Sequence, residues 1–147
     1  MEQVKRRTRK LEMVVVAISF SILTGCAATF ISASDLVASK KKGEGKTRVY
    51  EVSVEEAWDI SKRILKWEAG TDEIDEHRSE GYMVTKVGST LLYKVTFIGV
   101  WIEPVDKVQS KVTVVTKSTI DTIMGLNEAE FHERFALFAH GPENTPP

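Results

Sequence analysis

From residue 49 onward the apolar positions follow two rhythms, and their order predicts the fold. Val49-Tyr50-Glu51-Val52 reads as a short strand. Ser53-Val54-Glu55-Glu56 then has the spacing of a capping box, with Ser53 as N-cap and Glu56 three residues on. Behind it Val54, Ala57, Trp58, Ile64 and Leu65 recur at helical spacing, with Ile60 and Trp67 widening the stripe. The helix is expected to run to about Ala69 and stop at Gly70. Period-two segments follow: Glu73–His77, Tyr82–Val87, Leu91–Glu103 and Val108–Lys117. Arg78-Ser79-Glu80-Gly81 and Pro104-Val105-Asp106-Lys107 supply turns between them. Residues 118–126 give no clear period. Asn127-Glu128-Ala129-Glu130 opens a second helix, which carries Phe131, Phe135 and Phe138 on one face to about Ala139. The order β-α-β-β-β-β-α predicts an α+β domain over 49–140: an antiparallel sheet packed on one face by two helices. Residues 141–147 read as a disordered tail.

The pattern is different before residue 49. Lys5, Arg6, Arg7, Arg9 and Lys10 form a basic cluster, and Met13–Leu23 is free of charge. That apolar stretch fits the core of a secretory leader and is short for a membrane span of about 20 residues. The charge balance splits accordingly. Five of the 20 Lys/Arg and two of the 21 Asp/Glu lie in residues 1–25, leaving a net of −4 from Cys26 onward. An acidic body has no electrostatic footprint for nucleic acid. Residues 27–48 are Ala/Ser-rich, then carry Lys40-Lys41-Lys42-Gly43-Glu44-Gly45-Lys46, and read as a flexible tether. The lysine run is read as a solvated spacer rather than a patch for anionic lipid.

The apolar stretch ends in Leu23-Thr24-Gly25-Cys26, which resembles the lipobox of bacterial lipoproteins. The resemblance implies a diacylglycerol on the Cys26 sulfur, cleavage between Gly25 and Cys26, and a membrane-anchored, periplasm-facing protein of the cell envelope. By the same resemblance Ala27, in place of an inner-membrane-retaining Asp, favours the outer membrane in a Gram-negative source. The competing reading is an uncleaved anchor over Met13–Ala33. Both readings place residues 35–147 outside the cytoplasm. The element order over about 49–140 is also similar to small bacterial lipoprotein domains and to helix-grip and TATA-binding-protein-like α+β domains. That resemblance carries over no catalytic residue.

Candidate chemistry is sparse. With a single cysteine there is no intrachain disulfide and no thiolate metal cluster. His77, His132 and His140 lack zinc-site spacing, and no cofactor is expected. Asp72, Glu73, Asp75, Glu76, His77 and Glu80 form the densest polar cluster. It reads as a solvated edge strand with Glu73, Asp75 and His77 on one face and Asp72 and Glu76 on the other. Phe131, Phe135 and Phe138 are either core or the lining of an apolar ligand cavity between sheet and helix. Trp67 and Trp101 are candidates for a contact surface. The expected function is a non-enzymatic interaction or scaffolding module with an envelope protein partner; the alternative is a carrier of lipids or other apolar molecules.

Overall fold

The computed structural model describes residues 31–70, 72–89, 94–119 and 126–141. The leader with Leu23, Thr24, Gly25 and Cys26, the strand start expected at Leu91–Tyr93 and the tail from Pro142 lie outside them. The described part is an α+β fold with this order: α1 (Ala33–Lys41), β1 (Lys46–Tyr50), α2 (Val54–Ala69), β2 (Ile74–His77), a 3-10 turn (Arg78–Glu80), β3 (Tyr82–Ser89), β4 (Lys94–Pro104), β5 (Ser110–Ser118) and α3 (Glu128–Ala139). The five strands form one open antiparallel sheet in the order β1-β5-β4-β3-β2. Strands β2 to β5 are a meander, and β1 adds to its far edge.

The local signals explain the element ends. Ser53 Oγ accepts the Glu56 N–H at 3.2 Å, and Gly70 closes α2 at φ 61°. Asn127 Oδ1 likewise accepts the Glu130 N–H at 3.0 Å. Two strands are displaced from their expected positions. β5 begins at Ser110, because Asp106 Oδ1 takes the N–H groups of Val108 and Gln109, both at 2.8 Å, and holds them in the turn. β1 lies upstream of the Val49–Val52 expected. Val52 is buried in the turn to α2, where its carbonyl accepts the Ser110 hydroxyl at 2.5 Å.

The main core lies on one face of the sheet. Ile98, Val100 and Ile102 of β4 and Val112 and Val114 of β5 pack under Trp58, Ile64 and Leu65 of α2 and Phe131 and Phe135 of α3. These helices follow the expected stripe, and their sheet partners keep the period of two.

The other face departs from expectation. The segment read as a tether contains α1, so the sheet is covered on both faces rather than one. The Ser32 N–H donates to Asp35 Oδ2 at 2.7 Å and starts this helix. Leu36, fully buried, packs with Val84, Trp101 and Val115, while Lys40 pairs with Glu103 at 3.0 Å. Gly99 makes the room: a Cβ there would stand 2.8 Å from the Trp101 ring and 3.3 Å from Leu36. At the turn into β1, Gly45 has φ 95°, and a Cβ would meet the Val114 carbonyl oxygen at 2.3 Å. Only glycine lets the chain double back so closely.

Both sheet edges are blunted. β2 is four residues long and charged, as the acidic segment suggested, with Asp75 and His77 on one face and Ile74 and Glu76 on the other. Beyond the start of β1, Glu128 Oε1 accepts the Thr116 N–H at 3.1 Å and its hydroxyl at 2.9 Å.

Candidate functional site

The densest assembly of polar and aromatic groups sits where the start of α2 meets the 3-10 turn. Glu55 and Trp58 share a face of α2, three residues apart. Arg78 comes from the turn and Glu76 from β2. The Arg78 guanidinium lies over the Trp58 ring at 4.7 Å. Its Nη1 donates to Glu55 Oε2 at 3.0 Å, and its Nε is 3.5 Å from Glu76 Oε2. The Trp58 indole N–H donates to the same Glu76 oxygen at 2.8 Å, and Lys62 pairs with Glu76 from the next turn of α2. Lys62 first, then the Trp58 N–H, hold the Glu76 carboxyl below the usual glutamate range. Glu55, Trp58 and Arg78 border an open groove of about 400 Å³, whose far wall is Ile102, Glu103 and Pro104 at the end of β4.

The chemistry offered is charge and directed hydrogen bonding; the Trp58 indole beneath Arg78 is itself buried. Such a groove suits recognition of a polar partner. The hydroxyl that does bond a histidine is elsewhere and buried: Tyr50 Oη lies 2.8 Å from His132 Nδ1. Among the described residues, no group of three or more His, Cys, Asp or Glu is placed to hold a metal ion.

The Tyr50–His132 pair ties edge strand β1 to α3. His132 Nε2 is 3.0 Å from the Lys46 carbonyl, which can only accept, so Nε2 carries the proton and Nδ1 accepts from Tyr50. Burial pushes the His132 pKa down, outweighing the support from that carbonyl. The sign of the pH dependence follows. An unfolded histidine titrates near about 6.5, and the folded one lower. Between the two values the unfolded state binds more protons, so stability is full above about 6.5 and falls as pH drops toward the folded value. Urea midpoints are expected to fall as pH drops below about 6.5. His132→Gln is expected to flatten that slope while lowering the midpoint at neutral pH. An unchanged slope in His132→Gln would falsify the assignment.

The sequence-stated candidates separate in the structure. Trp67 is 74% exposed on the last turn of α2. Trp101 is only 5% exposed and is corrected from contact surface to core. It ends a stack across three strands, His77 on Tyr82 at 4.4 Å and Tyr82 on Trp101 at 5.5 Å, and α1 lies over it. Phe131 and Phe135 are fully buried and pack on each other at 6.2 Å, with Tyr50 4.2 Å from Phe135. Phe138 is partly buried under the Arg63 guanidinium at 5.3 Å. None of the three phenylalanines lines the groove at Trp58. Nor do they line a second depression of about 370 Å³ on the α1 face, bordered by Ala33, Ile74, Asp75, Lys86 and Phe97.

Sequence reasoning missed the Glu55–Trp58–Glu76–Arg78 assembly. Its one local signal is the Glu55/Trp58 spacing; Arg78 is 20 residues beyond Trp58, in a turn whose approach depends on the hairpin. Comparisons with family models, curated proteins and solved structures found no match to this chain.

Proposed function

We propose that the chain is a lipid-anchored protein of the bacterial cell envelope, held at Cys26, whose α+β domain acts as a non-enzymatic interaction module. The observation that carries it is the sequence of residues 5–26: a basic cluster, the uncharged Met13–Leu23 and then Leu23-Thr24-Gly25-Cys26, six residues ahead of the cap of the first described helix. Two or three acyl chains at Cys26 exceed what stable anchoring needs, at about 0.8 kcal/mol per buried CH₂. The domain supplies recognition. Its groove beside Trp58 presents Arg78, Glu55 and Glu103, and polar rims of this kind set specificity and association rate in protein contacts. The carrier reading rested on a cavity at Phe131, Phe135 and Phe138, and two of these side chains are fully buried core residues.

Cys26→Ser removes the sulfur that takes the diacylglycerol. The variant is expected to keep its leader, to run larger by the mass of residues 1–25 and to take up no labelled palmitate. The wild type is expected to begin at an acylated Cys26. An intact mass beginning at Met1 with an unmodified Cys26 would establish the uncleaved anchor instead.

A further inference from the structure

We propose that the exposed Trp67 at the end of α2 inserts into the phospholipid interface beside the anchor, so that the domain stands on the membrane in a set orientation. The proposal rests on a membrane-attached leader, and it commits to the lipid surface as the occupant of this exposed ring.

The length of chain outside the fold is the first support. The tether expected to reach residue 48 ends at Ser32, because α1 is built into the domain. Residues 27–32 are then all that separates Cys26 from the packed structure. Six extended residues reach at most about 20 Å. The end of the domain where Ala33 lies is therefore held within about that distance of the lipid.

Trp67 is on that end. Ala33 borders the same depression as Ile74 and Asp75 at the start of β2, and β2 follows directly from the end of α2. Lys66, next to Trp67, reaches across this connection to Asp72 at 2.8 Å. The start of α1 and the last turn of α2 thus both lie by the start of β2, on opposite faces of the sheet. The groove at Arg78 and Trp58 lies at the opposite end of α2.

The third support is the ring itself. Trp58 and Trp101 are buried, while Trp67 leaves about three quarters of its surface in water. An indole combines a large apolar body with one N–H donor, and the headgroup boundary serves both. The charges around it are mixed: Arg63 and Lys66 on α2, and Asp72, Glu73 and Asp75 beyond it. No net basic patch faces the membrane, so insertion is expected to follow the ring rather than anionic lipid. It should be equal in zwitterionic vesicles and insensitive to added salt.

The test uses full-length protein purified from membranes and reconstituted into phosphatidylcholine vesicles, with or without bromine on the acyl chains. Brominated lipid is expected to lower wild-type tryptophan emission by roughly a third, the share of one tryptophan in three, and to leave Trp67→Phe unquenched. Equal quenching of the two proteins, or none, overturns the proposal. So does protection of Trp67 from aqueous iodide without bromine quenching, which would mean that a second copy or a protein partner covers the ring. Intact mass of the same preparation reports acylation separately. A retained leader with free Cys26 overturns the lipid anchor, while the quenching comparison still decides Trp67.

Discussion

Trp101→Ala is expected to destabilise the domain by about 3–5 kcal/mol, the range for removing a buried large aromatic. The ring is sandwiched: Tyr82 stacks on it from the neighbouring strand, Leu36 and α1 cover it, and Gly99 leaves it space in its own strand. Deleting it opens a void that the rigid sheet cannot close, and it strips α1 of its main partner. A helix of nine residues does not hold together alone, so α1 is expected to detach as the void forms. Urea unfolding followed by circular dichroism checks the size. Hydrogen exchange checks the mechanism, since amides of 33–41 should lose protection first. Trp67→Ala is the control, within about 0.5 kcal/mol of wild type, as befits an exposed site. Equal effects of the two substitutions would show that α1 is not packed on the sheet and would restore the tether.

Phe135→Ala is expected to cost a similar amount, about 3–5 kcal/mol, on the opposite face. Phe135 is fully buried and meets Tyr50 at 4.2 Å, so its loss also loosens the Tyr50–His132 link that holds β1 to α3. A drop in the urea midpoint at an unchanged slope marks a core residue. A ligand-lining residue behaves differently. Its truncation enlarges a space already present and changes the binding of an apolar probe more than stability. Little loss of stability with altered binding of a fluorescent fatty acid would bring back the carrier reading.

Much of the fold was legible in the chain. The capping residues Ser53 and Asn127, the stop at Gly70 and the two helical stripes act over three or four residues, so local spacing is enough to reveal them. The strand alternation that puts Ile98, Val100 and Ile102 on one face against Val112 and Val114 is equally local. The leader with Cys26 is a pattern of charge, apolar length and small residues, and its reading depends on sequence alone. α1 escaped notice because its apolar content is Ala33, Leu36, Val37 and Ala38 among serines and lysines. Nothing in so short a segment outweighs the entropy of an open chain until a partner surface exists.

That partner surface is where sequence reasoning ends. Trp101 is a contact-surface candidate in the sequence because Trp is favoured at binding hot spots, and it alternates with Val100 and Ile102, which face the main core. Its own face is buried only because a helix from sixty residues upstream lies across it. Arg78 comes to Trp58, and His132 to Tyr50, by the same route: pairs far apart in the chain, joined once the sheet sets their distance. The sequence by itself determined the five strands and the two longer helices in their order, because backbone propensity and periodicity are short-range. Only the tertiary structure decided which aromatic rings are covered, that residues 33–41 belong to the fold and which charged groups meet, because burial and pairing belong to surfaces that exist only after the chain has folded.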